Sequence, residues 1–432
     1  MTTQINVGIA GLGTVGYSTA KQLVEKEEKL ARRTGVEVRL VAVAEPSLPS
    51  QAEKHLAAQE IFTETEEMLA EADLDVFVEL IGGIDPARKL IKEALSRGID
   101  VVTANKELLA HYGREIFKHA ADSAARIRFE AAVGGSIPII RTVREAMVGA
   151  DFECIYGIIN GTTNYMLTSM GRRGLSFDEA LTEAQNKGYA EADPSADVEG
   201  RDSAHKMTVL AELAFGISVP VENVHTEGIN SITPSIMEDA ERLNYSIKLL
   251  GIAKKIRDEV DVRVHPTLIP RSSALAAVNC EYNAVYIQSD PTGSAMLYGK
   301  GAGGPSTAGA VVSDIVSLAT MEPNSQPAVY YSAGAGGLIS TAELSTRYYL
   351  RLHATDKPGV LARVTKILGE HRISIETVLQ RGRSAGEFVP VVLTTHRARE
   401  GSVQAAVNEI AQLDVIGRQP KLLRIEEDFE QQ

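Results

Sequence analysis

With two cysteines in 432 residues, the chain has no material for a disulfide framework. Cys154 and Cys280 lie far apart and outside any CxxC spacing, so a thiolate zinc site has no support and both read as buried, reduced thiols. The nine histidines hold no HExxH pair or comparable cluster, which removes the usual imidazole metal centres. No stretch reaches the roughly 18 apolar residues of a membrane span. The start, MTTQINVGIAGLG, runs straight into a strand, without the basic flank and apolar core of a signal peptide. No block of lysine and arginine appears, and the formal charge of −13 works against phosphate backbones and anionic lipid. These absences predict a cytoplasmic protein with no nucleic-acid or membrane partner, one that works on small molecules.

What is present suits a folded enzyme. A hydrophobic content of 44% and a charged content of 23% support packed cores, and the length suits about three domains. The opening segment, INVGIAGLGTVGYSTAKQLVEKEEKLARR, reads as an apolar strand, a glycine turn and an amphipathic helix. Gly11, Gly13 and Gly16 form GxGxxG between strand and helix, the context in which this motif binds a dinucleotide. The glycines permit a tight turn, and the helix start at Thr14 and Val15 offers backbone N–H groups to a pyrophosphate.

Further strand-like runs stand at 38–45, 74–82, 100–105 and 127–133, with helical stretches around 51–59, 86–97 and 106–124. Such alternation predicts a doubly wound parallel sheet of the Rossmann kind over 1–133. Ligands bind such sheets at the carboxyl ends of the strands, where Glu45, Gly82, Ala104, Asn105 and Lys106 fall. Residues 134–300 read as an α/β substrate and dimerisation domain with long helices near 235–256 and strands near 261–268 and 283–289. At 299–319, GKGAGGPSTAGAVVSDIVSLA predicts a second glycine turn, with Gly303, and a helix. It is not a P-loop, since Lys300 is followed by Gly301. By composition 331–346 is a linker, and 347–432 follow the order βαββαβ of a ferredoxin-like unit. The layout predicts a unit that can be removed after about Ser340 without opening another core.

The densest pattern lies at 184–206, AQNKGYAEADPSADVEGRDSAHK. Four carboxylates and Lys206 share this stretch with Gly188, Pro194 and Gly200, too much punctuation for a solvated helix. Asp193 ahead of Pro194 reads as a turn residue. Asp202 and Lys206 fall one turn apart on one helix face. Ala184, Gly188, Tyr189, Ala190, Asp193, Pro194, Asp197, Val198, Gly200, Asp202 and Lys206 together closely resemble the signature of the homoserine dehydrogenases. With DKPGVL at 356–361, the C-terminal unit resembles an ACT domain, a small-molecule regulatory module.

The resemblance implies NAD(P)-linked interconversion of L-homoserine and L-aspartate 4-semialdehyde in threonine, methionine and isoleucine biosynthesis. It implies Lys206 as proton donor, substrate contacts from Gly188, Glu191 and Asp202, and Asp197 behind them. The chemistry needs a cation or acid beside the aldehyde oxygen, for which Lys106 also qualifies after Lys206. A returning segment at 301–330 completes the nucleotide domain in the family. Main-chain carbonyls at Glu130, Val133, Gly135 and Ile137 match a family site for a monovalent cation, sodium. An amino-acid effector, L-threonine first, is expected at Asp356, Gly359, Val360 and Leu361, unless the module serves dimerisation alone. A homodimer or homotetramer is expected. Glu45 at the end of the second strand, with Ala44 before it where relatives carry arginine, favours NAD(H) over NADP(H), although Arg32 or Lys54 could neutralise a 2′-phosphate. Two other functions stay open on the residues alone: another Rossmann amino-acid oxidoreductase, and a catalytically silent sensor.

Overall fold

The computed structural model describes residues 3–48, 52, 55–56, 58–321, 336–380, 386–427 and 429. Its first sheet is built from β1 (Thr3–Ala10), β2 (Val36–Ala44), β3 (Glu60–Phe62), β4 (Val76–Glu79), β5 (Asp100–Thr103) and β6 (Ile127–Arg128). Helix α1 (Thr14–Thr34) follows β1, α2 (Thr65–Glu71) follows β3, α3 (Ala87–Ser96) follows β4 and α4 (Lys106–Ser123) follows β5. The strand order is β3-β2-β1-β4-β5-β6, every pair parallel, the order of a dinucleotide-binding sheet. β4 and β5 are buried throughout, as strands covered on both faces must be, and their centres, Val76–Val78 and Val101–Val102, are apolar without alternation. Register places Ala10 beside Glu79 and Glu79 beside Thr103, so three strands end together at the switch point.

Two expectations for this part are corrected. The helix expected around 51–59 falls partly outside the described residues, and those described there are turns, with β3 and α2 following. The strand expected over 127–133 stops at Arg128, and Glu130–Ala132 form a 3₁₀ turn held by the Asp314 carboxylate, which accepts from Glu130 N at 2.7 Å.

The second part begins with the single turn α5 (Ile139–Arg141), then β7 (Asp151–Ile158), α6 (Gly161–Arg173), α7 (Phe177–Asn186), α8 (Ser195–Val198) and α9 (Arg201–Phe215). It continues through β8 (His225–Thr226), α10 (Pro234–Arg242), β9 (Tyr245–Ile256), β10 (Glu259–Pro270), β11 (Tyr282–Asp290) and β12 (Gly293–Lys300). Helix α11 (Gly304–Thr320) then returns to pack on α1, so closely that a Cβ on Gly304 would lie 2.8 Å from the Thr14 carbonyl. The long helix expected to 256 ends at Arg242, and Tyr245–Ile256 is a strand. Asn244 turns the chain with φ 65, and Ile247–Ala253 are buried between β7 and β10. A run covered on both faces, here apolar except for Lys248, has no helical or strand period to distinguish it.

The C-terminal unit comprises β13 (Ser345–Thr355), α12 (Val360–Glu370), β14 (Ile375–Gln380), β15 (Phe388–Thr395), β16 (Ala398–Arg399), α13 (Glu400–Ala411) and β17 (Lys421–Ile425). It shares a sheet and a core with the substrate part. β17 pairs in parallel with β10, Thr267 to Arg424 and Leu268 to Ile425, so one mixed sheet runs β12-β11-β7-β9-β10-β17-β13-β15-β14 through both units. Tyr349, Leu423 and Ile425 belong to the same apolar cluster as the substrate part, and Phe429 packs 4.8 Å from the Tyr156 ring. Asp239 of α10 accepts from the Tyr349 hydroxyl at 3.0 Å and pairs with Arg351. Within the stretch expected as a linker, 331–335 lie outside the described residues, whereas Gly337 and Ile339 exchange backbone hydrogen bonds with Val260. No helix among the described residues is long and apolar enough to cross a membrane.

Candidate active site

The nucleotide turn shows why its glycines differ. Gly11 has φ 89, and a Cβ there would lie 2.6 Å from the Leu80 carbonyl; one on Gly16 would lie 1.8 Å from the Gly11 carbonyl. These two are required by the fold itself. A Cβ on Gly13 would meet nothing within 4 Å, so its open side is left for an approaching ligand, with Thr14 and Val15 opening α1 behind it. Glu45 extends from β2 to the same turn, where Oε2 accepts from Leu12 N at 2.6 Å. Opposite, the Gly82–Gly83 loop is held by Glu79, which was not singled out in the sequence. Glu79 is fully buried and accepts from Ile81 N at 2.8 Å, Gly82 N at 3.0 Å and the Thr103 hydroxyl at 2.6 Å. An acid closing an apolar strand just before two glycines was the available signal. Asn105 caps α4 through Leu108 N and donates to the Gly83 carbonyl at 2.6 Å. Gly303, with φ 118, caps α11.

Across the cleft from this turn, α4 and α9 bring both candidate lysines to one carboxylate. Asp202 stands between Lys106 Nζ at 3.3 Å and Lys206 Nζ at 2.6 Å. Lys206 also donates to the Ile159 carbonyl at 2.8 Å and is buried, whereas Lys106 is the more exposed. Burial acts to raise the Asp202 pKa, but Lys206 and then Lys106 outweigh it and hold the carboxyl below its usual range. Reciprocally, Asp202 raises the Lys106 ammonium above its ordinary value against desolvation. Behind them Asn160, also unforeseen, donates to Asp197 Oδ1 at 2.6 Å and Asp202 Oδ2 at 2.9 Å while its own oxygen caps α6 at Thr163 N. Its signal was an asparagine before Gly-Thr-Thr, a helix-start composition. Burial and then the Asp202 charge raise the Asp197 carboxyl.

The signature loop supplies the opposite wall. Glu191 is exposed along the cleft, and Asp193 makes the expected turn by accepting from Ser195 N at 3.0 Å. Gly188 takes a left-handed turn with φ 72 and is not among the residues that line the cleft. His205 and His111, ring centroids 5.5 Å apart, line the cleft as well; burial depresses His205. The cleft measures about 710 Å³ and is bordered by Val15, Gly82, Ala104, Lys106, Glu191 and Asp202 among others.

At the candidate cation turn, Gly134 and Gly135 take φ 74 and 58, and a Cβ on Gly135 would lie 2.4 Å from the Gly301 carbonyl. The Glu130 carboxylate is used by Ile140 N and Arg141 N, both at 2.8 Å, and burial with the nearby Asp314 raises it to about 7. Any cation there falls to main-chain oxygens. The Glu130 and Ile137 carbonyls accept from Val133 N and Ile139 N, and each keeps a second lone pair, the oxygen chemistry that a hard monovalent ion requires. In the C-terminal unit, Gly359 takes φ 89 at the exposed start of α12, Val360 is buried and Leu361 half-buried. Asp356 is pinned by backbone bonds to Glu387 and Gly386. Cys154 is buried, its thiol pushed up to about 12 by burial, whereas Cys280 is only half-buried, against expectation.

Residues 11–130 match the family described as homoserine dehydrogenase, NAD binding domain, residues 138–316 the family homoserine dehydrogenase, and residues 348–415 the ACT domain. The homoserine dehydrogenase of Neisseria gonorrhoeae is 38% identical over 430 residues, 98% of each chain. The chain belongs to the homoserine dehydrogenase family. That of Synechocystis is 40% identical, covering 98% of this chain and 99% of its own. The crystal structure of the homoserine dehydrogenase from Thiobacillus denitrificans superposes with a TM-score of 0.93 at 42% identity, covering 98% of this chain and 99% of that one. A hyperthermophilic archaeal homoserine dehydrogenase in complex with NADPH matches 74% of this chain and 99% of its own, with a TM-score of 0.62 and 26% identity. The chain is therefore an oxidoreductase with a nicotinamide cofactor and a C-terminal ACT domain, and neither a different amino-acid oxidoreductase nor a silent sensor is favoured.

Proposed function

We propose that the enzyme interconverts L-homoserine and L-aspartate 4-semialdehyde with Lys206 moving the proton and Lys106 holding the reacting oxygen. The nicotinamide exchanges the hydride when bound. The observation that carries this reading is two ammonium groups sharing the single carboxylate of Asp202 beside the carboxyl ends of β4 and β5. The two ammonium groups supply donors and positive charge to an alkoxide that develops in the cleft, with Asp202 and, behind it, Asp197 as their counter-charges. Asp202, anchored by Asn160, keeps Lys206 oriented, and Asp197 shares the same amide. Glu191 on the facing wall takes the substrate ammonium as a charged acceptor. Gly188 belongs to the turn that presents this wall. Following the absorbance of the reduced nicotinamide with homoserine as substrate tests the reading, and an inactive wild-type enzyme would refute it.

NAD(H) is the preferred cofactor. Glu45 sits at the glycine turn, where a carboxylate accepts ribose hydroxyls and repels a 2′-phosphate. Arg32, one cation that could neutralise such a phosphate, is paired with Glu28 at 2.8 Å; Lys54 lies outside the described residues. An NADP⁺ kcat/KM equal to or above that for NAD⁺ would show that Glu45 does not face the ribose. The carbonyls of Glu130, Val133, Gly135 and Ile137 hold a sodium ion in a structural role. The ACT domain takes an amino-acid effector, L-threonine first, at the turn from Asp356 through Gly359, Val360 and Leu361. The enzyme is a homodimer or homotetramer and cytoplasmic, in keeping with its free cysteines.

A further inference from the structure

A second cavity, of about 460 Å³, lies between α6, α10 and β9, away from the active-site cleft. Its size is within the range of small-molecule pockets. Lys248 of β9 lines it at only 3% exposure, and Arg172 and Arg271 stand exposed at its lip. A buried ammonium is ordinarily paired with a carboxylate, because an uncompensated interior charge is costly. Lys248 has neutral partners instead. Its Nζ donates to Asn164 Oδ1 at 3.1 Å, to the Val278 carbonyl, and over a long 3.4 Å to Asn279 Oδ1. Burial, and next the charge of Arg172, lower its pKa to about 8. Glu241, the carboxylate at the lip, is engaged by Arg271 at 2.7 Å. Leu167, Met237, Ile247 and Ala276 supply apolar wall.

We propose that this cavity binds a small oxyanion, a carboxylate or a phosphate, between Lys248 and Arg172, in place of the long Asn279 contact. An anion supplies the charge that Lys248 lacks, while the apolar wall accommodates a short carbon chain. The position is between two working parts of the molecule. Helix α6 begins at Asn160, which holds Asp197 and Asp202, and α10 carries Asp239, which meets Tyr349 and Arg351 of the C-terminal unit. The groups facing Lys248 are Arg172, the Arg271–Glu241 pair, Tyr245 and Cys280. An anion beside Lys248 favours its charged form, so binding near pH 8 takes up a proton.

The test is calorimetric titration of the full-length protein with succinate, inorganic phosphate and the neutral analogue succinamide, at constant ionic strength, in two buffers of different ionisation enthalpy near pH 8. Saturable binding of succinate or phosphate with proton uptake is expected, and no binding of succinamide. Whichever anion binds names the source. Lys248→Met should weaken binding about tenfold or more, and Arg172→Gln about threefold; both should leave the KM for homoserine unchanged. Arg172 is exposed, so that variant decides the matter even where Lys248→Met does not fold. Absence of binding by both anions, equal binding of succinamide, or anion affinity unaltered in Arg172→Gln would overturn the site.

Discussion

The parallel sheet and the mixed sheet place their polar groups differently. In the parallel sheet, β4 is apolar until its last residue, and Glu79, Thr103 and Asn105 gather at the carboxyl ends, where they shape loops, while the buried Asp100 and Arg128 are paired with Arg126 and Glu145. In the mixed sheet, charge lies inside. Asp261, Arg263 and His265 of β10 are buried with Arg424 and Glu426 of the C-terminal unit. Arg424, 2% exposed, holds Glu400 at 2.6 Å and Glu227 at 2.8 Å, the latter from the substrate part. Burial, with Arg424 and Arg263 beside it, keeps His265 well below its ordinary pKa and so neutral. The first sheet offers a ligand site on an apolar frame. The second uses paired charges as a seam, and such a seam depends on both of its sides.

The largest effect is expected where the two parts meet at the cleft. Lys206→Ala should lower kcat by about 10² to 10⁴, the usual cost of losing a general acid, while the dissociation constant for the cofactor stays near that of the wild type because the glycine turn is untouched. Near wild-type turnover in the folded variant would remove Lys206 from its role. Next comes the seam itself. Removal of residues after Ser340 takes Tyr349 and Arg351 from Asp239 and Arg424 from Glu227, and opens the shared core. Breaking one buried pair costs about 3–5 kcal/mol, so the truncated chain should unfold at markedly lower denaturant. Wild-type stability and turnover in that chain would restore the separable layout.

A smaller change is expected at the cleft wall. Glu191→Gln should raise the KM for homoserine about tenfold with little change in kcat, by removing the charge that pairs with the substrate ammonium; an unchanged KM would place Glu191 outside the substrate contacts. The smallest concerns pH. Burial raises the Glu227 carboxyl, but its hydrogen bond from His225 and the charge of Arg424 together bring it down from 4.5 to about 2. A depressed carboxyl stabilises the fold above its unfolded pKa, and that contribution is lost as pH falls through the folded value. Glu227→Gln should therefore destabilise the protein at neutral pH, and the difference from wild type should shrink between pH 4.5 and about 2. Denaturant midpoints of both proteins across this range measure it. A pH-independent difference would mean that packing, not charge, sets the role of Glu227.

Much of the nucleotide site was legible because its constraints are local. A glycine turn between a strand and a helix, or an acid at a strand end, declares itself within a few residues. Lys106, Asp202 and Lys206 were named from residue type and motif, yet nothing in their spacing shows that one carboxylate serves both lysines. Glu79 and Asn160 carry only a weak local signal because part of their role lies with residues distant in sequence, Thr103 for the one and Asp197 and Asp202 for the other. The strand at Tyr245–Ile256 was read as helix because both of its faces are covered by neighbours distant in sequence.

By itself the sequence determined the family, the parallel nucleotide sheet, the βαββαβ order of the C-terminal unit and the identity of the charged residues in the signature. These follow from local pattern: side-chain period, turn residues and motif spacing. Tertiary structure alone decided that β17 joins β10, that Arg424 closes a buried seam, that Lys248 lines a cavity with only neutral hydrogen-bond partners, and that two lysines converge on Asp202. Each of these is a contact between groups far apart in the chain, whose free energy depends on which surfaces are buried together and on the charges that burial must then pair.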